Sequence, residues 1–223
     1  MLISVLKNIT DKKYGIEIGG PSLSGRAIYE SAKGMDNVIF SKETLWSSYD
    51  DSEKYRYYAD RTGRLIISDA VDISSIQNES YDFVFASHSL EHIANPIKAL
   101  KEWLRIIKDG GFIILIVPEK SQCFDHNREY SKFTTLLTQY HNNVGEDDLS
   151  TLPEILNKHD LSMDLPAGDF VSFTKRSLNN INNRALHHYV YDDELLHKIA
   201  EFCECAFVYN ETNGLDRWFI MKK

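Results

Sequence analysis

The run Phe112-Ile-Ile-Leu-Ile-Val117 constrains this chain most. Six apolar residues in succession leave no polar face for water, so the segment reads as a strand covered on both sides, as in a parallel sheet with helices on each face. Four shorter stretches precede it: Tyr14 to Gly19, Val38-Ile-Phe40, Leu65-Ile-Ile67 and Tyr81 to Ala86. Each is rich in β-branched or aromatic residues and bounded by turn formers. Helical segments fall between them. Arg26 to Lys33 has helical composition, and Asn95-Pro96 opens a helix with a capping side chain and a proline at its first position. Ile97, Leu100, Leu104 and Ile107 then recur on one face, and Asp109-Gly110-Gly111 closes the helix. Strands alternating with helices at this spacing predict an α/β fold, a Rossmann-like, doubly wound and mostly parallel sheet with right-handed crossovers.

The alternation breaks twice. Residues 41 to 64 are polar and aromatic, with Trp46, Tyr49, Tyr55, Tyr57 and Tyr58, and are expected to be an irregular excursion. From Glu119 to Tyr191 the chain is polar, carries histidines and is weakly helical; Thr151-Leu-Pro-Glu154 reads as a capping-box helix start. Beyond it Asp193 to Phe202 reads as a helix, and Ala206 to Tyr209 and Trp218 to Met221 as two closing strands joined at Asn213-Gly214. The expected organisation is a core over 1–118, a cap over 119–191 inserted after the fifth strand, and 192–223 completing a seven-stranded sheet. No internal repeat or low-complexity tract appears.

Composition narrows the partners. A net charge of −8, with basic residues scattered, argues against affinity built on phosphate neutralisation, so no nucleic-acid partner is expected. No stretch approaches the roughly 20 apolar residues of a membrane span, and MLISVLKNIT is too short an apolar run for a signal peptide. A cytoplasmic protein without a membrane partner is expected. Cys123, Cys203 and Cys205 are an odd set without zinc-ribbon or redox-motif spacing and read as reduced thiols.

In doubly wound sheets ligands lie beyond the carboxyl ends of the strands, where Glu17-Ile-Gly19-Gly20, Ser68-Asp69-Ala70 and Ser87-His88 all fall. Glycine is needed in the first of these turns because a side chain would block a ligand lying on the backbone. EIGG, SDA, ASHSLEH and KDGGFIILIVP in this order resemble the class I S-adenosylmethionine-dependent methyltransferases, and within them the methyltransferase-type-11-like branch. The resemblance covers residues 14 to 118. It implies S-adenosylmethionine as cofactor, with Glu17 and Gly19 at its methionine part and Gly20 allowing close backbone approach. Asp69 would accept from the adenine amino group beside Ala70, and Ser87 and His88 would line the methyl-donor side. The chain departs from the family pattern in two places: Pro21 and Leu23 stand where glycines are usual, and Ser41, with Glu43 two residues on, stands where an acid usually holds the ribose, so that Ser41 or a residue of 41–64 would take over that cofactor contact.

The acceptor is expected under the cap. Its segments FDHNR and RALHHYVYD are similar to cap motifs of bacterial methyltransferases associated with surface-polysaccharide gene sets, which implies a sugar or other small-molecule hydroxyl as acceptor. Such a hydroxyl needs a base or a metal to become nucleophilic. His126, His187 and His188 are the candidate catalytic groups, with Asp125 as an orienting carboxylate; the same residues could hold a divalent metal. If His187 and His188 lie on a strand, only one of them can face the site. Asp147, Asp148 and His159 are read as a solvated acidic run and a helix end, and His92 as a helix-start residue bonded to neighbouring backbone, without catalytic role. The alternatives are methylation of a small-molecule nitrogen, and a methyltransferase-like module that binds without catalysis.

Overall fold

Period-two alternation decides what each face of the central strands covers. In the computed structural model, which describes residues 1–46, 48–49 and 54–223, Tyr81–Ser87 (β5) turns Phe83 and Phe85 to one side and Val84 and Ala86 to the other. Helices Leu2–Thr10 (α1) and Arg26–Ser31 (α2) cover the first side with Leu6, Ile9 and Ile28. Helix Pro96–Ile106 (α3) covers the second with Ile97, Leu100 and Trp103, all fully buried. Ile107–Pro118 (β6) repeats the division, Ile114 and Ile116 against Ile113, Leu115 and Val117. The uninterrupted apolar run thus serves two cores at once.

The remaining strands are Tyr14–Ile18 (β1), Gly34–Ile39 (β2), Lys54–Tyr58 (β3), Arg61–Ile67 (β4), Ala206–Asn213 (β7) and Asp216–Lys222 (β8). They form one eight-stranded sheet in the order β3-β4-β2-β1-β5-β6-β8-β7. From β4 to β6 the pairing is parallel, while β8 is antiparallel to β6, β7 to β8 and β3 to β4. The chain leaves β1 outward to β2 and β4, then returns to β5 on the other side of β1. The strand order therefore reverses between β1 and β5, and that reversal opens a crevice at their carboxyl ends.

Several sequence expectations are corrected. The sheet has an eighth strand, β3, inside the supposed irregular excursion: Tyr55 and Tyr57 point into the core while Lys54 and Arg56 point out. The helix α1 was not anticipated, and α3 ends at Ile106, with Trp103 and Ile106 more deeply buried than Leu104. Asp109-Gly110-Gly111 lies within β6, where the pairing with β5 shifts register. Gly111 passes so close to the neighbouring strand that a Cβ would come 2.7 Å from the Asp82 carbonyl oxygen. The closing hairpin turns at Gly214-Leu215, one residue later than expected.

The segment after β6 carries Phe133–His141 (α4), Leu152–Lys158 (α5), Phe170–Leu178 (α6) and Asn180–Asn183 (α7), then an extended stretch leading to Asp193–Phe202 (α8). Leu152, Ile155, Ala167, Phe173 and Leu186 give it a small core of its own. Its edges belong to the main core: Leu136, Tyr189 and Tyr191 pack with α3 and α8, and the Tyr189 hydroxyl donates to the Ala94 carbonyl at 2.8 Å. Thr151 does not cap α5, for it already has a helical backbone and its hydroxyl bonds to nothing among the described residues. No helix among the described residues is long and apolar enough to cross a membrane. All three cysteines are free thiols, Cys203 and Cys205 packed beside α8.

Candidate active site

A cavity of about 630 Å³ opens at the carboxyl ends of β1, β2, β4 and β5, beneath the cap. Its sheet side is built from the strand-ending turns. Gly19 follows β1 with φ +82°, and a Cβ there would meet the Ser89 hydroxyl at 2.6 Å, so this turn accepts only glycine without displacement. The Gly19 backbone therefore forms bare wall. Ile39 and Phe40 after β2, and Asp69 and Ala70 after β4, continue the same wall.

Glu17 does not reach this wall. Its carboxylate is fully buried under the turn, where a Cβ on Gly20 would lie 2.1 Å from the carboxyl carbon. It accepts hydrogen bonds from the Tyr29 hydroxyl at 2.8 and 2.9 Å, from the Ser22 backbone N–H at 3.1 Å, and from the Tyr55 hydroxyl. Burial pushes its pKa up to about 7 against the opposing effect of the donors Tyr55, Tyr29 and Ser22. Glu17 thus supports the turn from below, and Gly20 is small because Glu17 lies against it.

Ser41 and Ser87 also stand off the wall. The Ser41 hydroxyl accepts from the Glu43 N–H at 3.3 Å, and the Ser87 hydroxyl accepts from Ser22 at 2.8 Å. Asp69 is on the wall, but its carboxylate is engaged: one oxygen accepts from the Val71 N–H at 3.1 Å and the other pairs with Arg184 of the cap at 3.0 Å. Ala70 presents its side to the cavity while its carbonyl accepts from the Trp103 indole N–H at 2.9 Å. His88 lines the cavity and bonds through Nε2 to Asp216 at 2.8 Å. Burial alone would lower its pKa, yet the Glu91 and Asp216 carboxylates raise it to about 9.

Of the three candidate catalytic histidines, the fold brings one to the cavity. His187 lines it, with Nδ1 2.6 Å from Asp125 Oδ2 and its ring against His92 and Phe124. Arg128 holds this pair in place: fully buried, it donates to Asp125 at 2.9 Å and to the His187 and His188 carbonyls at 2.8 and 3.2 Å. Burial opposes ionisation of Asp125, but His187 and Arg128 hold its pKa well below the usual carboxylate range. His126 lies outside the cavity at the surface, 2.9 Å from Asp160. His188 is buried behind the wall, near Asn180 at 3.2 Å and Glu146 at 3.5 Å, and burial lowers its pKa to about 4. The two adjacent histidines lie in an extended segment outside the sheet and still point apart, so one faces the site as the strand argument required.

Three wall residues were not anticipated. Glu91 and His92 come from the turn after β5; the His92 N–H does bond to the Ser89 carbonyl at 3.2 Å, but its ring packs between Trp46 and His187. Burial and the neighbouring His187 lower the His92 pKa to about 3, leaving the ring neutral. Arg184, from the cap, bridges Asp69 and Glu146 at 3.0 and 3.2 Å. The dipeptide Glu91-His92 was visible in sequence, but only the fold places it opposite His187.

Residues 42–115, a third of the chain, match the family model of a methyltransferase domain. Among solved structures, an S-adenosylmethionine-dependent methyltransferase from Mesorhizobium loti matches at 9% identity and TM-score 0.57, covering 100% of this chain and 96% of its own. One from Methanosarcina mazei matches at 11% identity and TM-score 0.54, covering 98% and 96%. A third, from Thermotoga maritima and a possible histamine N-methyltransferase, matches at 13% and 0.52, covering 99% and 87%. At such identities the likeness is one of fold. No curated protein matches the chain.

Proposed function

We propose that this chain is a class I S-adenosylmethionine-dependent methyltransferase and that it methylates a hydroxyl oxygen of a small molecule such as a sugar, held between the strand-ending turns and the cap. The observation that carries the reading is the pairing of His187 with Asp125 on the cap side of the cavity whose opposite side is Gly19, Asp69 and Ala70. A neutral hydroxyl is a poor nucleophile and must lose a proton as it reacts, which calls for such a group beside it.

The sheet side fits the cofactor. The bare backbone at Gly19 admits close approach, Phe40 and Ala70 offer flat apolar surface to a purine, and the Asp69 carboxylate is placed to accept from an amino group. When bound, S-adenosylmethionine supplies a sulfonium methyl group, whose S–C electron pair returns to sulfur as an acceptor lone pair forms the new O–C bond. Everything else falls to the chain. Trp46 and Phe124 give aromatic faces for an acceptor ring to lie on, and Asp164, Arg176 and Arg184 give polar groups around it. Holding donor and acceptor in line removes much of the entropic part of the barrier. The hydroxyl loses its proton at the corner made by Glu91, His92 and His187, and the roof of cap residues keeps bulk water from competing as acceptor.

The test is transfer of a labelled methyl group to a panel of free and nucleotide-linked sugars and to a matched panel of amines. Label on an oxygen that disappears in His187→Ala supports the reading. Transfer to amines alone, unaffected by that substitution, replaces it with nitrogen methylation.

A further inference from the structure

Glu91, His92 and His187 each place one ligand atom within 4.8 Å of the other two on the cavity wall. His187 commits Nδ1 to Asp125, which leaves the lone pair of Nε2 free. The His92 Nδ1 is buried with no hydrogen-bond partner among the described residues. Glu91 is 1% exposed, and neither of its oxygens has a hydrogen-bond donor among the described residues. His88 forms an ion pair with Glu91, its Nδ1 3.6 Å from Oε1, while its Nε2 is taken by Asp216.

Two imidazole rings and a buried carboxylate thus converge on one stretch of the cavity wall. His88 offsets part of the buried charge from one side, and a cation held by all three groups would offset it from the cavity side. We infer that Glu91, His92 and His187 form a binding site for a divalent cation of the zinc, manganese or iron class. Two imidazoles and one carboxylate suit those ions, and the cavity side of the triad leaves coordination positions open. The outer partner of His187 matches as well: the Asp125 carboxylate behind it fixes the ring that faces the ion and strengthens it as a ligand. Arg128 in turn fixes Asp125. Ligand atoms about 2.1 Å from an ion lie roughly 3 to 3.5 Å apart, a spacing within the span over which the triad's ligand atoms already lie.

Cation binding rests on this geometry; its role rests on the methyl-transfer reading above. With an ion bound, an acceptor hydroxyl would take an open position on it and its O–H proton would leave through the cavity mouth to solvent, the oxygen keeping the pair that forms the bond to the methyl carbon; His187 would then serve the proton loss as a ligand of the ion and not by taking the proton itself.

The experiment is titration of the chelator-treated full chain with cobalt(II), followed by visible absorption, with manganese(II) competition. One equivalent is expected, bound at least tenfold more weakly by Glu91→Gln, His92→Ala and His187→Ala, and roughly ten- to a hundredfold more weakly by Asp125→Asn, which touches no ion. Circular dichroism of each variant confirms folding, and the isosteric Glu91→Gln and Asp125→Asn keep the test open if an alanine variant is unstable. No uptake by the wild-type chain, or equal uptake by Glu91→Gln and His187→Ala, overturns the site. Calorimetry with S-adenosylhomocysteine on the same samples keeps the two readings apart: cobalt without cofactor binding removes the methyl-transfer reading and leaves the cation site standing.

Discussion

Arg184 of the cap stands 3.0 Å from Asp69 at the end of β4, so the one acid on the sheet wall beside Ala70 is already paired with the roof above it. This ion pair joins the cap to the proposed adenine end of the cavity, and Arg184 extends it to Glu146 at 3.2 Å. A ligand that engages Asp69 must share it with Arg184.

Asp69→Ala is accordingly expected to weaken binding of S-adenosylhomocysteine by about 1.5 to 3 kcal/mol, the range for hydrogen bonds to a charged group. Ser41→Ala, whose hydroxyl serves the Glu43 N–H, is expected to leave the affinity unchanged. Calorimetry on both variants checks the pair. Equal loss in the two places ribose recognition at Ser41 after all.

His187→Ala is expected to lower the rate of methyl transfer roughly 10²- to 10⁴-fold with cofactor affinity intact, the span attributed to loss of a group that handles a proton. His126→Ala, at the surface with Asp160, is expected to match wild type. Steady-state assays on an identified acceptor, beside cofactor titrations, separate the rate effect from binding. A dead His126→Ala enzyme contradicts the assignment.

Glu17 makes stability depend on pH. Its pKa rises from 4.5 to about 7 on folding, so the folded chain holds the proton more tightly than the unfolded one. The resulting stabilisation is full below pH 4.5 and is lost as pH rises through about 7. A shift of this size corresponds to about 3 kcal/mol. Denaturant unfolding of wild type and Glu17→Gln from pH 5 to 8 reads it: the wild type should lose stability relative to the variant across that window. Parallel curves mean that Glu17 stays ionised in its buried site.

Leu100→Ala opens a cavity between α3 and the sheet and is expected to cost about 2 to 5 kcal/mol. Asn95→Ala removes the side chain that accepts from the Lys98 N–H at 3.2 Å and is expected to cost about 1 kcal/mol. Chemical denaturation measures both, and a neutral Leu100→Ala contradicts the packing described for α3.

Local pattern made the parallel core legible. The continuous run of β6, the short apolar strands and the Asn95-Pro96 helix start all report burial within a few residues, and the turns at Gly19, Asp69 and His88 follow from where those strands end. The strand β3 also carried its signal, Tyr55 and Tyr57 alternating with Lys54 and Arg56, but its tyrosines were read as part of a polar excursion. The site was legible only in part, because its contacts join residues far apart in the chain. Glu17 looks like a ligand group until Tyr29 and Tyr55 close over it, and His92 looks like a turn residue until His187 arrives from the cap. Nothing local separates His187 from His188 and His126. The buried Arg128, which ties Asp125 to the backbone of both adjacent histidines, makes that choice.

The most direct measurement is a calorimetric titration of the wild-type chain with S-adenosylhomocysteine, repeated on Asp69→Ala. One site per chain in the wild type, markedly weakened in the variant, is the predicted result. Absence of binding by the wild type, or binding that the Asp69 substitution leaves unchanged, contradicts a cofactor seated at the carboxyl ends of these strands.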